Sequence, residues 1–211
     1  MDVTLTRAWM QAVAAAIDDQ KDNLTQLDSA IGDGDHGVNM HRGFTAVTAA
    51  LDGFEADTPG QILLKVGNTL ISSVGGASGP LYGTAFRAAG KELAEPDPDA
   101  AQVLAALQAG LAGVRRLGAA QPGDKTMVDA FEPALAAFEQ DLAAGGDLAS
   151  AAARAADAAE EGMLGTTELE AHKGRASYLG PRSVGHQDPG ATSTALIFRS
   201  LANVTAVQAA P

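Results

Sequence analysis

Cysteine is absent from the 211 residues. Disulfides, thiolate zinc sites, iron–sulfur clusters and cysteine nucleophiles are therefore all excluded. Aromatic residues are scarce, at one Trp, two Tyr and six Phe, and the β-branched and aromatic clusters that strands require are few. Positive charge is also short: 14 Lys and Arg stand against 26 Asp and Glu, for a net charge of −12. A chain this acidic repels phosphate backbones and anionic lipid, which argues against nucleic acid and membrane as partners. Long apolar runs are missing as well. The strictly apolar stretch Ala12 to Ile17 is far shorter than the ~20 residues of a bilayer span. MDVTLTRAWM carries no basic region ahead of an apolar one, so no secretory leader is expected. These absences lead to the expectation of a soluble, cytoplasmic protein, with residues 1–211 forming a single domain.

What is present is aliphatic. Hydrophobic residues make up 46 % of the chain, and much of that share is alanine, the strongest helix former and small enough to let helices approach closely. The composition predicts an all-α fold. Leu5, Ala8, Trp9, Ala12, Val13, Ala16 and Ile17 form an apolar stripe at three- and four-residue steps, which predicts a helix over about Thr4 to Gln20. Asp18, Asp19 and Asp22 behind it read as solvated. A second helix is predicted from near Gly37, with Met40, Phe44, Val47 and Leu51 inward. A third has Thr58 as N-cap and Pro59 at its first position, and runs to about Ser73. A fourth opens after Ser78. A fifth follows Pro96-Asp97-Pro98 and carries Val103, Leu104, Leu107, Leu111 and Val114. The sixth is expected after Pro122-Gly123-Asp124 with Asp124 as N-cap. The seventh spans about Asp147 to Met163 with a frayed continuation to Ala171, and the eighth is capped by Asp188.

The connections between these eight helices differ in kind. Asp52-Gly53, Glu95-Pro96-Asp97 and Gly145-Gly146 are short. The other four, LDSAIGDGDHG, SVGGASGP, LGAAQPGDK and HKGRASYLGPRSVGHQDPG, are dense in glycine and reactive side chains. Windows 28–37, 74–79, 118–124 and 173–190 hold half of the 24 glycines. In an up-and-down bundle of antiparallel amphipathic helices, alternate connections emerge at one end. The four loops should therefore converge on one mouth.

Asp28, Asp33 and Asp35 lie close together, separated by Gly32 and Gly34. Carboxylates so near one another do not all stay ionised without a cation among them. Oxygen donors on a glycine-rich backbone suit a hard divalent ion such as Mg²⁺. An ordinary acidic turn accounts for the same spacing, so both readings stand at this point. An EF-hand does not: Phe44 occupies the position where its glutamate belongs. His36 and Asn39 sit at the start of the next helix, whose first amides favour an anion. His36 is either a phosphate donor or a packing residue there. Gly75-Gly76-Ala77-Ser78-Gly79 offers free amides and a hydroxyl suited to phosphate, but no Gly-Lys-Ser/Thr follows, so it is not a P-loop. Arg175 offers a charge to a phosphate or a partner, or sits idle at the surface. Asp188-Pro189-Gly190 first of all caps a helix. No nucleophile or general base can be assigned. The inventory suits a nucleotide polyphosphate held through Mg²⁺.

GDGDHGVNMHRGF, SSVGGASGPLYGT, PGDKTM and GRASYLGPRSVGHQDPGATS, in this order over about Leu27 to Ser193, resemble the nucleotide-binding (L) subunit of dihydroxyacetone kinase. The resemblance implies a barrel of eight antiparallel helices with ADP and two Mg²⁺ at one end, Asp28, Asp33 and Asp35 being the metal ligands. It places His36, Gly37, Val38, Asn39, Ala77 and Ser78 at phosphate and metal. Gly118 and Met127 fall around the adenosine, and Arg175, Asp188, Pro189 and Gly190 complete the nucleotide contacts. The family's acceptor, dihydroxyacetone, is held on a separate K subunit, and a chain ending at Pro211 is expected to be the L subunit alone. ADP then acts as a coenzyme, rephosphorylated by a phosphohistidine on an M subunit of the phosphotransferase system. Two alternatives share these motifs: an L subunit that exchanges ADP for free ATP, and a regulatory module docking on a transcription regulator.

Overall fold

The computed structural model describes residues 1–209 and is helical throughout. Its α-helices are α1 (Val3–Asp19), α2 (Lys21–Ile31), α3 (His36–Leu51), α4 (Pro59–Ser73), α5 (Ser78–Glu92), α6 (Ala100–Gly118), α7 (Val128–Ala143), α8 (Leu148–Gly165) and α9 (Pro189–Ala209). Two 3-10 segments, Thr166–Glu168 and Arg175–Ser183, lie between α8 and α9. No strand occurs among the described residues. The all-α expectation holds.

The count differs by one. Gln20, with non-helical ψ of 5°, breaks the first rod, and α2 continues from Lys21. The sequence hides this because Asp18, Asp19 and Asp22 are exposed as expected, while the buried face of α2 is only Leu24, Asp28 and Ile31. A carboxylate at the centre of a buried stripe masks the helical period. Asp28 is thus on a helix rather than in the loop, which shrinks to Gly32–Asp35.

Two other boundaries move. Asp124 does not cap the sixth expected helix. Its carboxylate accepts from the Gln121 amide at 2.8 Å, and α7 begins only after Lys125 has turned through a left-handed φ of 62°. Asp129, the second residue of α7, accepts from the Gly123 and Thr126 amides at 2.5 and 2.7 Å and does the holding instead. The seventh helix stops at Gly165, followed by the single turn Thr166–Glu168.

Helices pack in chain order from α3 to α9, and α1 lies against both α3 and α9, closing the circuit. Trp9 of α1 donates its indole N–H to the Ile197 carbonyl of α9 at 2.9 Å across that seam. The few aromatics meet inside: Phe86 stands against Trp9 and Phe44, with ring centroids 5.9 and 6.4 Å apart, and Phe131 against Phe198 at 5.2 Å. Elsewhere small residues bring the backbones together. Ala151, Ala152, Ala155, Ala156 and Ala159 of α8 are fully buried. A Cβ on Gly60 of α4 would stand 2.3 Å from the Gly90 carbonyl oxygen of α5. The alanine-rich composition is therefore a packing device: close backbones replace bulky side chains.

Candidate metal and nucleotide site

The four glycine-rich connections leave the helix ends on one side of the molecule and bond to one another there. His36, at the start of α3, places Nδ1 3.1 Å from Ser78 Oγ of α5 and Nε2 2.9 Å from Ser193 Oγ of α9. Arg175 Nε stands 2.8 Å from Asp33 Oδ2. The His172 amide donates to the Asp124 carbonyl at 3.1 Å. The expected convergence on one mouth is what the fold produces.

Asp28 sits on the last turn of α2 and is nearly buried. Its Oδ2 accepts from the Asp35 and His36 amides at 2.8 and 3.0 Å, which fixes the carboxylate and folds the loop over it. The other oxygen, Oδ1, occupies the space where a Cβ on Gly32 would fall, at 2.0 Å. Only glycine fits at that position. One oxygen each from Asp28, Asp33 and Asp35 can be chosen so that all three lie within 4.8 Å of one another. Three carboxylates this close repel strongly, and the Arg175 guanidinium neutralises only one of them. A hard, oxygen-seeking divalent cation matches the donor set, and no sulfur or free imidazole competes for it.

Gly37 and Val38 form the first turn of α3, where amides have no intrahelical acceptor and the helix end is electropositive. Gly37 is buried against α2; a Cβ there would meet the Lys21 carbonyl oxygen at 2.0 Å. Buried Asn39 accepts from Arg42 Nη2 at 2.9 Å, and Arg42 Nε donates to the Ser73 carbonyl at 2.8 Å. This pair supports the Gly75 loop, whose own Cβ position lies 2.7 Å from Asn39 Oδ1. Ala77 and Ser78 then open α5 beside His36. Burial holds the His36 imidazole below its ordinary pKa despite the opposing pull of Asp28 and Asp35. With both ring nitrogens against serine hydroxyls, it aims Ser78 at the mouth while packing α3 to α9. Of the two readings left open for this residue, these two pairings favour packing.

On the other flank, Met127 is buried at the entry to α7, with Gly190 beside it, where a Cβ would stand in ordinary contact 3.5 Å from the Met127 amide nitrogen. Gly118 closes α6 against Leu81. Asp188 caps α9, its Oδ2 accepting from the Ala191 amide at 2.7 Å, with Pro189 buried behind it. Burial pushes the Asp188 carboxyl up to about 7, with Asp129 adding to the rise and the Ala191 amide and Lys125 opposing it. The Tyr82 hydroxyl donates to the Gly190 carbonyl at 2.9 Å and is paired with the Ser193 and Thr194 hydroxyls at 2.6 and 2.9 Å, and so fixes the α9 entry.

All fifteen residues singled out in the sequence thus line this one end, with Asp28, Asp33 and Asp35 as a group, Arg175 on Asp33, and Met127 with Gly190 apart from them. Sequence reasoning missed the supports: Arg42, Tyr82, Lys125, Asp129 and Ser193. Their signal was position alone, since four of the five lie inside the motif stretches and Asp129 two residues beyond one.

A protein-family profile described as "DAK2 domain" matches residues 30–203. The chain is 41 % identical over 193 residues to a Listeria innocua protein named "PEP-dependent dihydroxyacetone kinase 1, ADP-binding subunit DhaL", covering 92 % of each. It is 42 % identical over 195 residues to the corresponding Escherichia coli subunit, covering 92 % of this chain and 93 % of that one. Among solved structures it is similar to the dihydroxyacetone kinase of C. freundii in complex with AMP-PNP and Mg²⁺, with a TM-score of 0.72 and 29 % identity. That match covers 96 % of this chain and 34 % of the kinase, so the chain spans about a third of that longer protein.

Proposed function

Because the chain belongs to the DAK2 domain family, we propose that it is the ADP-binding L subunit of a phosphoenolpyruvate-dependent dihydroxyacetone kinase, a phosphotransferase acting on an alcohol group. The relatives matched over nine-tenths of both chains bear that name, and the geometry suits it. Asp28, Asp33 and Asp35 hold Mg²⁺, two ions in the full reading. The amides of Gly37 and Val38, with Ala77, Ser78 and Asn39, hold the diphosphate, and Gly118, Met127 and Asp188-Pro189-Gly190 border the adenosine. Bound Mg²⁺ supplies charge neutralisation on the phosphoryl oxygens. The chain's own contribution is placement: fixed amides and hydroxyls that cost no reorganisation when charge develops.

ADP then works as a bound coenzyme. It takes a phosphoryl group from the phosphohistidine of an M subunit and gives it to dihydroxyacetone on a K subunit. Exposed Val38, Leu117, Tyr178 and Val184 rim the mouth, an apolar border that fits docking of a partner protein over the site.

The single observation carrying this reading is the aspartate trio at the foot of an anion-favouring helix start, with Asp28 held by the Asp35 and His36 amides. Native mass spectrometry of freshly purified protein tests it, with retained ADP and magnesium expected. Full phosphoryl transfer with phosphorylated M subunit, without free ATP, is the second expected result. Turnover that needs free ATP and no phosphoprotein would favour the exchanging kinase. Capture of a regulator without K subunit, and no turnover by either route, would favour the regulatory module.

A further inference from the structure

Lys125 is a lysine with almost no access to solvent. It is 1 % exposed and ranks among the largest fully buried side chains of the protein. Its Nζ donates to the carbonyls of Thr166 at 2.8 Å, Leu169 at 3.0 Å and Ser183 at 2.8 Å. An ammonium has three N–H groups, and all three are used. A hydrophobic side chain of similar length would fill the same volume without the cost of desolvating a charge. The backbone also adopts a left-handed φ of 62° at this residue, a conformation non-glycine residues seldom take. Packing alone explains neither feature.

The three carbonyls explain the buried charge. Thr166 and Leu169 stand where the chain leaves α8, and Ser183 where it returns towards α9. Between them runs the segment that carries Arg175. Lys125 therefore joins the two feet of that loop through one cation. Neighbouring bonds brace the same base: the Ala171 amide donates to Ser183 Oγ at 2.8 Å, and the Asp188 amide to Thr166 Oγ1 at 3.0 Å. Arg175 cannot hold itself in place. Its side chain is 66 % exposed, and exposed ion pairs contribute only about 0–1 kcal/mol.

We propose that Lys125 is a positioning residue for phosphoryl transfer, its buried ammonium clamping the base of the loop that sets Arg175 over the metal-binding aspartates. The inference rests on the functional reading above, together with the expectation from the sequence that Arg175 completes the nucleotide contacts.

The test compares Lys125→Met, Arg175→Ala and the double variant in the kinase assembled with its K and M subunits, and digests the nucleotide-free single chain with trypsin. For Lys125→Met, kcat is expected to fall about tenfold with nucleotide affinity within about threefold. In the Arg175→Ala background the same substitution should cost less than about twofold, because residues acting as a unit are non-additive. Cleavage after Lys173 and Arg182 should accelerate in Lys125→Met. Equal losses in both backgrounds, or an unchanged cleavage rate, overturn the proposal. If Arg175→Ala alone turns over at the wild-type rate, the functional reading of Arg175 fails, and the trypsin digest still decides the clamp. Should Lys125→Met not fold, Ser183→Ala loosens the same loop base; a loss additive with Arg175→Ala then overturns it.

Discussion

Arg175 donates its Nε to Asp33 Oδ2 at 2.8 Å, and this pair joins the last loop of the mouth to the first. The guanidinium is the cation in contact with the carboxylate trio, so it offsets part of their repulsion before any divalent ion arrives.

Removing Arg175 should consequently affect chemistry more than stability. Arg175→Ala is expected to slow phosphoryl transfer at least about tenfold while unfolding free energy changes by less than ~1 kcal/mol, the range of exposed pairs. Single-turnover transfer and urea unfolding measured on one preparation check this. A drop in stability with unchanged transfer would make the arginine a structural tether.

Removing one carboxylate of the proposed metal site should separate binding from folding. Asp33→Ala is expected to weaken Mg²⁺-dependent ADP binding at least about 100-fold with helicity intact, followed by calorimetry and circular dichroism. Chelation of wild-type protein should reverse the stabilisation that ligand gives, about 2.7 kcal/mol at 100 times Kd. ADP affinity indifferent to both treatments would place the metal elsewhere.

The small-residue contacts predict the opposite pattern. A Cβ on Gly60 meets the Gly90 carbonyl oxygen at 2.3 Å and the Leu93 carbonyl oxygen at 2.4 Å. Backbone cannot yield as a side-chain tip can, so Gly60→Ala should destabilise by roughly 1–3 kcal/mol. Nucleotide affinity of the folded fraction should be unchanged, because this contact lies at the far end of α4. Thermal unfolding with and without ligand measures both quantities.

Asp188 makes stability depend on pH. Its carboxyl rises from an ordinary 3.8 to about 7 through burial, so the folded chain keeps a proton that the unfolded chain has released. Stability of the nucleotide-free protein should therefore fall as pH rises from about 4 to about 7, by roughly 2–4 kcal/mol. Asp188→Asn keeps a capping oxygen and should remove that slope. Urea midpoints at pH 5 and pH 8 provide the comparison, and parallel slopes in both proteins would assign the titration to another group.

Much of the architecture was legible because its signals are local. The stripe Leu5, Trp9, Val13, Ile17, the cap Thr58 ahead of Pro59 and the cap Asp188 ahead of Pro189 each lie within one or two turns of chain. What escaped was non-local or inverted in polarity. The helix α2 was lost because Asp28 interrupts its buried face, and the Asp124 cap failed because Asp129 competes for the same loop amides. Lys125 reads in sequence as an ordinary exposed lysine, since nothing near it announces three carbonyls from residues 41 to 58 positions away.

The chain's own order of residues settled the helical class, the polar and apolar sides of most helices, and which four loops carry carboxylates, glycines and hydroxyls. Periodicity, capping and composition act over a few residues and need no partner. Tertiary structure alone decided that Asp28 turns inward to take two amides, that His36 bridges Ser78 and Ser193, and that Arg175 reaches Asp33. Those relationships depend on distances between helix ends, which backbone packing at glycine and alanine fixes and which no local pattern encodes.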